Sequence, residues 1–445
     1  MKMVLAFFAL VALFSVSMSS IVSAESSDDW PMFRHDPAHT GYSNSTTSDA
    51  YQLQWKSDIG SPVYLSSPAV VNGKVYVGSE AGDIFCLDGS NGTILWKVAT
   101  GAWVWSSPAV VNGKVYIGSM NGEVYCLDAS NGDVTWRYTT GDTLFKGLVE
   151  GSPTVVDGKV YIDSWDGVIY CLDSSTGDLV WNYRTGDVVM SSSPAVADGK
   201  VYVASFVNYT YCLDASNGHR IWVVNAEADI SSSPAVFDGR VCMGFGNLFA
   251  CLNASNDDTI WSRERKDGNF SSSPAVVNDK IYVGDDAGGF WCFNAANGDV
   301  VWSWTLSNAS IVSSPAVADG KVFVGSEDGK IYCLDTSNGN IKWTYQTGGA
   351  LYSSPAIANG KVYIASYDGS VYAFEPSVGL LPGLPTIVII PAIGGIIVVA
   401  AIVPIAFFVL RRRKSAKNKI LPTPMDTSEQ KMSAKPKADE SNTSG

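Results

Sequence analysis

Short apolar runs with strand-like alternation fill residues 51–376, and turn residues separate them. Within residues 106–138 the pattern predicts four strands and no helix. Asn112-Gly113 fits a two-residue hairpin turn, because both turn positions require positive φ. The predicted strands are Ser106–Val111, Lys114–Ser119, Glu123–Asp128 and Val134–Tyr138.

This four-strand unit occurs eight times. Each copy starts with Ser-Ser-Pro-Ala-Val or a near variant, and the copies lie about 40 residues apart, with about five extra residues before the third. Four antiparallel strands in such a repeat are typical of one β-propeller blade. The anchor prolines are Pro68, Pro108, Pro153, Pro194, Pro234, Pro274, Pro315 and Pro355.

A lone tryptophan closes each predicted fourth strand. The first, Trp55, precedes the first unit, whereas the last unit ends at Phe374-Glu375 without a tryptophan. We therefore expect residues 52–56 to complete the blade that begins at Ser353, which leaves no open sheet edge. The eight are Trp55, Trp96, Trp136, Trp181, Trp222, Trp261, Trp302 and Trp343.

The sequence thus predicts an all-β, eight-bladed propeller with four-stranded antiparallel blades, plus one C-terminal transmembrane helix. The first 24 residues have the charged start, apolar stretch and small-residue site of a cleaved signal peptide, with an uncleaved anchor as the alternative. The uncharged run 386–410 is long enough to cross the ~30 Å hydrocarbon core, and the basic cluster after it predicts a cytoplasmic end. A processed sorting signal is the alternative for this run. We divide the chain into a signal peptide (1–24), an N-terminal segment (25–50), the propeller (51–376), a linker (377–385), the transmembrane helix (386–410) and a basic, disordered tail (411–445).

The formal net charge of −13 argues against a nucleic-acid partner and against docking onto anionic lipid. We expect a monomeric propeller outside a cell membrane, anchored by a single span.

Seven of the eight cysteines occupy one slot of successive repeats, so we expect them to point the same way and to lie too far apart for disulfides. The eighth, Cys242, takes the slot of Tyr116, and we interpret all eight as small buried hydrophobic residues. Neither CxxC nor CxxCH occurs, and the three histidines are scattered, so we predict no metal site. His35 and His39 are expected to help the N-terminal segment pack on the propeller. The seven equivalent residues are Cys86, Cys126, Cys171, Cys212, Cys251, Cys292 and Cys333.

Residues 126–136 (CLDASNGDVTW) resemble the tryptophan-docking motif of the pyrroloquinoline-quinone (PQQ) repeat family, roughly A-x-D-x-x-T-G-x-x-x-W, and 171–181 (CLDSSTGDLVW) are a second match. Residues 30–41 are similar to the start of archaeal and bacterial PQQ-like surface proteins. The resemblance covers about residues 51–376 and implies an eight-bladed propeller in which the eight tryptophans are scaffold. The family includes quinoprotein alcohol dehydrogenases and a non-catalytic propeller that helps to assemble bacterial outer-membrane proteins.

The enzymes of that family imply a quinone stacked on a tryptophan, Ca²⁺ held by Glu and Asn, an Asp base and often a vicinal disulfide. This sequence has no adjacent cysteine pair, no haem motif and no long inserted loops. We therefore expect no enzyme, no catalytic residue and no cofactor. The alternative is a membrane-anchored dehydrogenase of alcohols or sugars that uses PQQ and Ca²⁺; a signalling receptor acting through the tail is a third reading.

Binding residues are expected where the repeats differ, at one mouth of the channel. Strand alternation predicts that residues three before each proline face the channel, whereas those four before are buried. The first set is Leu65, Trp105, Glu150, Ser191, Ser231, Ser271, Val312 and Tyr352, and the second is Tyr64, Val104, Val149, Met190, Ile230, Phe270, Ile311 and Leu351. The loops after the second strands add Glu80, Met120, Trp165, Phe206, Asp286, Glu327 and Tyr367, and the five-residue excess adds Lys146.

Aromatic rings beside hydroxyls and carboxylates suit a peptide or sugar. The leading hypothesis is a non-catalytic binding or scaffolding propeller that recognises an envelope protein or glycan; ordinary loop variation is the alternative for this ring. Sequons that the predicted compartment makes available to glycosylation are Asn44, Asn91, Asn208, Asn253, Asn269 and Asn308.

Overall fold

Eight four-stranded antiparallel sheets form the blades of a β-propeller, which confirms the predicted architecture. This computed structural model describes residues 28–141, 147–186, 188–189, 192–206, 208–226 and 228–377. Each blade runs from an inner strand of three residues to an outer strand, and strands adjacent in sequence pair with one another.

The strands follow one plan from blade to blade. Before the first blade come β1 (Tyr42–Ser43) and β2 (Tyr51–Asp58). Blades 1 to 4 contain β3 (Ala69–Val71), β4 (Lys74–Gly78), β5 (Asp83–Asp88), β6 (Ile94–Ala99); β7 (Ala109–Val111), β8 (Lys114–Ser119), β9 (Glu123–Asp128), β10 (Val134–Thr139); β11 (Thr154–Val156), β12 (Lys159–Ser164), β13 (Val168–Asp173), β14 (Leu179–Arg184); and β15 (Ala195–Ala197), β16 (Lys200–Ala204), β17 (Tyr209–Asp214), β18 (Arg220–Asn225). Blades 5 to 8 contain β19 (Ala235–Phe237), β20 (Arg240–Phe245), β21 (Leu248–Asn253), β22 (Thr259–Glu264); β23 (Ala275–Val277), β24 (Lys280–Gly284), β25 (Gly289–Asn294), β26 (Val300–Thr305); β27 (Ala316–Ala318), β28 (Lys321–Gly325), β29 (Lys330–Asp335), β30 (Ile341–Gln346); and β31 (Ala356–Ala358), β32 (Lys361–Ala365), β33 (Ser370–Pro376).

In blade 2 the first turn agrees with the sequence prediction, whereas the inner strand begins later than predicted. At the first turn of blade 2, Asn112 and Gly113 have φ of 52° and 72°, as the hairpin requires. The inner strand, predicted from Ser106, begins only at Ala109. Pro108 has no N–H to give to a sheet, and the N–H of Ser107 bonds a serine of the next blade instead.

The ring closes as predicted. β2 pairs antiparallel with β33, so that Trp55 lies opposite Ala373 and the N-terminus supplies the outer strand of blade 8. The short β1 adds a parallel edge to blade 7, with Tyr42 opposite Val317.

The hydrophobic core lies between neighbouring blades, and the tryptophans fill it. Trp96 of blade 1 packs among residues of both blades and donates its indole N–H to the carbonyl of Ala129 in blade 2 at 3.3 Å. The same bond recurs for Trp55, Trp136, Trp181, Trp222, Trp261 and Trp302. Trp343 packs instead on Tyr51 and Phe374, because the fourth strand of blade 8 comes from the N-terminus and not from a turn after β33.

The prediction that all eight cysteines are unpaired is wrong in blade 5. Cys242 and Cys251 form a disulfide between β20 and β21, and their Cα atoms are 4.1 Å apart. The physical reason lies in the register: in blade 2 Tyr116 lies directly opposite Cys126, so a cysteine in the tyrosine slot faces the repeated cysteine. The other six are buried and free.

Both ends of the chain lie outside the described residues, including the expected signal peptide, the span 386–410 and the tail. Within the described ranges, which contain no helix, nothing is both long and apolar enough to act as a membrane-spanning helix.

Candidate functional site

A closed circle of serines lines the channel. The backbone N–H of the second serine in each Ser-Ser-Pro unit donates to the Oγ of its counterpart in the next blade at 2.9–3.0 Å, all the way around. Because each Oγ accepts that bond, its own O–H is left to donate toward the channel. The members are Ser67, Ser107, Ser152, Ser193, Ser233, Ser273, Ser314 and Ser354.

The N-terminal segment closes one end of the channel. Pro31 accepts a backbone bond from blade 2 through Val110, whereas Arg34 reaches the carbonyls of Pro274 and Pro315 in blades 6 and 7. Since blades 2 and 6 lie on opposite sides of an eight-bladed ring, the chain crosses the axis here. Burial lowers the pKa of Arg34 to about 9, so its guanidinium is charged at neutral pH. The channel is therefore a cup with Phe33 at its floor.

The cup has a volume of about 420 Å³, and the residues predicted to face the channel line it. The two arcs of the wall differ, with bulky or charged side chains on one and small hydroxyls on the other. The described members of the predicted ring in the wall are Leu65, Trp105, Glu150, Ser231, Ser271, Val312 and Tyr352. Ser191 lies outside the described residues.

Five aromatic residues, which we call the aromatic arc, crowd the mouth: Tyr64, Trp103, Trp105, Tyr352 and Tyr367. Tyr64 lies between Trp105 and Tyr352, with ring centroids 5.3 Å and 4.7 Å away. Trp103 stacks on Trp105 at 4.9 Å and is 51% exposed. The indole N–H of Trp105 is buried without a hydrogen-bond partner.

Tyr64 was predicted to be buried, and this is wrong. It is half-exposed and lines the cup, whereas Val63 takes the buried place and donates its N–H to Ser366, as Val104 does to Ser79. Blade 1 thus has one extra residue before its proline, which turns Tyr64 toward the channel. The other described members of that set are buried.

Two carboxylates, Glu150 and Glu327, are the charged side chains among the described residues that line the cup. Trp165 donates its indole N–H to Glu150 at 2.9 Å, which joins two residues predicted to lie at the mouth. Burial raises the pKa of Glu327. Burial, followed by the charges of Glu150 and Glu327, also raises the pKa of Tyr64. The mouth is therefore an electronegative site.

Sequence reasoning missed a third carboxyl group behind the wall of blade 3. Asp163 has no exposed surface, and neither of its carboxyl oxygens accepts a hydrogen bond from another described residue. A Cβ added at Gly151, which lines the cup, would overlap this carboxyl group. Burial, and then the charge of Glu150, raises the pKa of Asp163 well above its usual range.

The signal for Asp163 was a paired departure from the repeat. In blade 2 the N–H of Gly118 donates to the Oγ of Ser106 at 3.1 Å, and similar bonds recur in four other blades. In blade 3 the serine is replaced by Gly151 and the glycine by Asp163. The carboxyl group thus fills the space that a serine side chain fills elsewhere.

The remaining predicted mouth residues do not all meet in the cup. Phe206 lines an adjoining cavity of about 360 Å³. Asp286 binds Asn269, with 2.7 Å to its backbone N–H, and Met120 is buried. Glu80 is partly buried outside the lining, and Lys146 lies outside the described residues.

The predicted sequons differ in accessibility. Asn44, Asn91 and Asn308 are exposed, whereas Asn208 and Asn253 are partly buried. Asn269 is exposed but donates its amide to Asp286 at 3.0 Å.

Among the described residues, no group of three or more His, Cys, Asp or Glu side chains is arranged to hold a metal ion. The disulfide lies buried between two strands of blade 5 and does not line the cup.

Comparisons with known proteins give the same fold. A family model described as outer membrane protein assembly factor BamB matches residues 49–185, 166–314 and 304–381. No curated protein matches the chain. The crystal structure of BamB from Moraxella catarrhalis is 19% identical with a TM-score of 0.62, covering 73% of this chain and 100% of that one.

Other solved structures of the same fold differ in function. A quinohemoprotein alcohol dehydrogenase, ADHIIG from Pseudomonas putida HK5, is 13% identical with a TM-score of 0.66, covering 82% of this chain and 83% of that one. The computationally designed protein Ika8 is 14% identical with a TM-score of 0.65, covering 73% of this chain and 99% of that one. Such likenesses establish the fold, and function must be argued from the cup.

Proposed function

Because the chain belongs to the family of outer membrane protein assembly factor BamB, we propose that it is a non-catalytic propeller of the cell surface that holds a ligand in its cup. Both a scaffold and a dehydrogenase use this fold, so the choice rests on the cup itself. Its partner in this proposal is a protein or a glycan of the cell envelope.

The observation that carries the proposal is the asymmetry of a closed cup. The floor blocks passage, so the channel is a receptacle and not a pore. The repeated scaffold makes the wall uniform, yet one arc carries aromatic rings and carboxylates that the other arc lacks. The stacked pair of Trp103, which is half-exposed, and Trp105, which is partly buried, is the kind of surface that anchors a partner.

The proposed setting follows from the ends of the chain. We propose that the signal peptide 1–24 exports the propeller, that residues 386–410 form a single membrane span, and that the basic tail stays in the cytoplasm. The propeller then stands outside the membrane as a monomer, and glycans attach most readily at the exposed Asn44, Asn91 and Asn308.

Affinity capture tests the location of the site. Full-length protein, solubilised in detergent, is used to capture envelope proteins and glycans, and the captured set is compared between wild type and Trp105→Ala/Glu150→Gln. We expect loss of the specific partner from the double variant. Ile341→Ser, on an exposed outer strand, is the matched control and should keep it. Equal capture by all three proteins contradicts a site in the cup.

A membrane-anchored quinoprotein dehydrogenase is the competing function, favoured by the fold shared with the alcohol dehydrogenase. Adding PQQ and Ca²⁺ to the purified protein distinguishes the two. We expect neither a quinone absorbance retained by the protein nor dye-linked oxidation of alcohols or sugars. The appearance of both overturns the non-catalytic proposal.

A further inference from the structure

We propose that the cup takes an organic ammonium group, a positively charged nitrogen carried on carbon, between the aromatic arc and the carboxyl groups of Glu150 and Glu327. The inference deepens the proposed function, since it assumes that the ligand binds in the cup. It names the chemical group that enters.

The aromatic arc provides ring faces and hydroxyl groups on several sides of one space. Tyr64, Tyr352 and Tyr367 contact one another with centroids 4.7–6.3 Å apart, all in edge-on arrangements. In an edge-to-face contact one ring covers only one face of its neighbour, so the opposite face stays available to a ligand. An ammonium group within about 6 Å of such faces is attracted by their negative quadrupoles.

Charge supports a cation over a neutral ligand. The charged side chains among the described lining residues are both carboxylates, Glu150 at blade 3 and Glu327 at blade 7, so that one lies at each end of the aromatic arc. Their charges raise the pKa of Tyr64, with burial as the larger cause, which places Tyr64 in their field. Partial removal from water strengthens the attraction between these carboxylates and a cation.

Asp163 is the independent observation that points to a ligand. A fully buried carboxyl group with no donor from another described residue is costly, and native structures seldom keep one without a reason. Only Gly151, which has no side chain, separates it from the cup. A cation in the cup would favour ionisation of Asp163, whereas a neutral sugar would not.

The paired departure in blade 3 fits this role. Seven blades have glycine or alanine where Asp163 stands, and seven have serine where Gly151 stands. The exchange removes a neutral hydroxyl and introduces an acid beside Glu150. It therefore places two carboxyl groups at one blade, next to the bulky arc.

Ligand titration tests the charge requirement. Full-length protein in a polyoxyethylene detergent, which has neither a sugar nor an ammonium headgroup, is titrated with tetramethylammonium and with its neutral, water-soluble near-isostere 2,2-dimethylpropan-1-ol. Tryptophan fluorescence and calorimetry report binding. We expect the cation to bind at least tenfold more tightly and to lose affinity as salt is raised. Equal affinity for cation and isostere overturns the proposal.

Variants connect the binding to the named residues. Glu150→Gln and Trp105→Leu should each weaken the cation about tenfold or more. Gly151→Ser/Asp163→Gly restores the repeat consensus, so it should fold at least as stably as wild type yet bind the cation several-fold more weakly. Ile341→Ser should bind as wild type does. Unchanged affinity in Glu150→Gln and in the consensus variant overturns the proposal.

Three probes distinguish the kinds of molecule that could carry the ammonium group. Choline, Nα-acetyl-lysine amide and glucosamine carry it on a lipid headgroup, a protein side chain and a sugar, and the tightest identifies the source. Failure here is separable from failure of the proposed function. If the cup captures an envelope partner but tetramethylammonium neither binds in the cup nor displaces that partner, the ammonium inference is wrong. The proposed binding function is then not contradicted.

Discussion

For single residues, the repeat predicts the structure well where its copies agree and poorly where one copy departs from the others. Recurring positions, such as the tryptophans and the Asn-Gly or Asp-Gly turns, were predictable because the same residue types occur at the same place in successive repeats. The misjudged ones depart from it: Cys242 faces Cys251, Tyr64 follows an insertion, and Asp163 exchanges roles with Gly151. Periodicity assumes constant spacing, so a one-residue insertion is invisible until the strands are paired.

At this scale His39 makes stability depend on pH. It is buried beside the floor with Nε2 3.1 Å from the Oγ1 of Thr154, and burial lowers its pKa to about 4 from 6.5. The charge of Arg34 acts in the same direction, whereas Asp36 opposes it. The unfolded chain therefore binds the proton first as pH falls. We expect up to about 3 kcal/mol of stability to be lost between pH 6.5 and 4.

Denaturant unfolding at several pH values measures this loss. His39→Gln should flatten the slope between pH 6.5 and 4, whatever its stability at pH 7. His219→Gln, on an exposed turn, should leave the slope unchanged. A slope that survives in the His39 variant assigns the acid sensitivity to other groups.

The blades differ in how many side chains donate to the carbonyl group that accepts a docking tryptophan. The repeated motif alone does not reveal this difference. The docking motif predicted the same scaffold role for all eight tryptophans, yet the carbonyl groups that accept their indole N–H groups are not equivalent. In blade 3 the carbonyl of Ser174 receives Trp136 and also the hydroxyl of Tyr116. In blade 6 the carbonyl of Ala295 has Trp261 as its side-chain donor among the described residues, because Cys242 replaces the tyrosine.

Three phenylalanine substitutions should therefore differ in cost. Trp261→Phe leaves a buried carbonyl without that donor, about 1–3 kcal/mol beyond the lost packing. Trp136→Phe should cost less, because Tyr116 still donates. Trp343→Phe, which has no such bond to lose, should cost least. Calorimetric melting of the three variants gives the order; an equal cost for all shows that packing alone decides.

The disulfide gives blade 5 its own prediction. Cys251→Ala removes the bridge to Cys242, nine residues away in sequence, and should cost about 2–3 kcal/mol more than Cys212→Ala, the unbridged equivalent in blade 4. Reducing agent should lower the melting temperature of wild type and Cys212→Ala but not of Cys251→Ala. Equal melting of both variants argues against a stabilising bridge.

For the whole molecule, the count of eight units and the unpaired Trp55 were enough to predict the closed ring. The floor was not predictable, since the N-terminal segment has neither strand periodicity nor repeat, and its backbone hydrogen bonds reach seven blades. The asymmetry of the cup was predictable from the residues before the prolines, but the depth at which Phe33 closes the channel was not.

Two deletions separate floor from closure. Removing residues 28–45 takes away the floor but keeps β2, so the propeller should stay folded and monomeric with a lower melting temperature. Removing residues 28–58 also exposes the edge of β33, and we expect self-association. Size-exclusion chromatography with light scattering compares them. Monomers of equal stability would show that β2 is dispensable.

The pairing of β2 with β33 also sets the order of events during synthesis. β2 leaves the ribosome early, yet it acquires its strand partner only when the last blade has been made. Arg34 and β1 wait likewise for blades 6 and 7. β2 must therefore remain without its strand partner while about three hundred later residues emerge, and the final docking is a long-range contact that is slow to form. A chain truncated late in translation would contain complete blades, but without β33 the ring could not close.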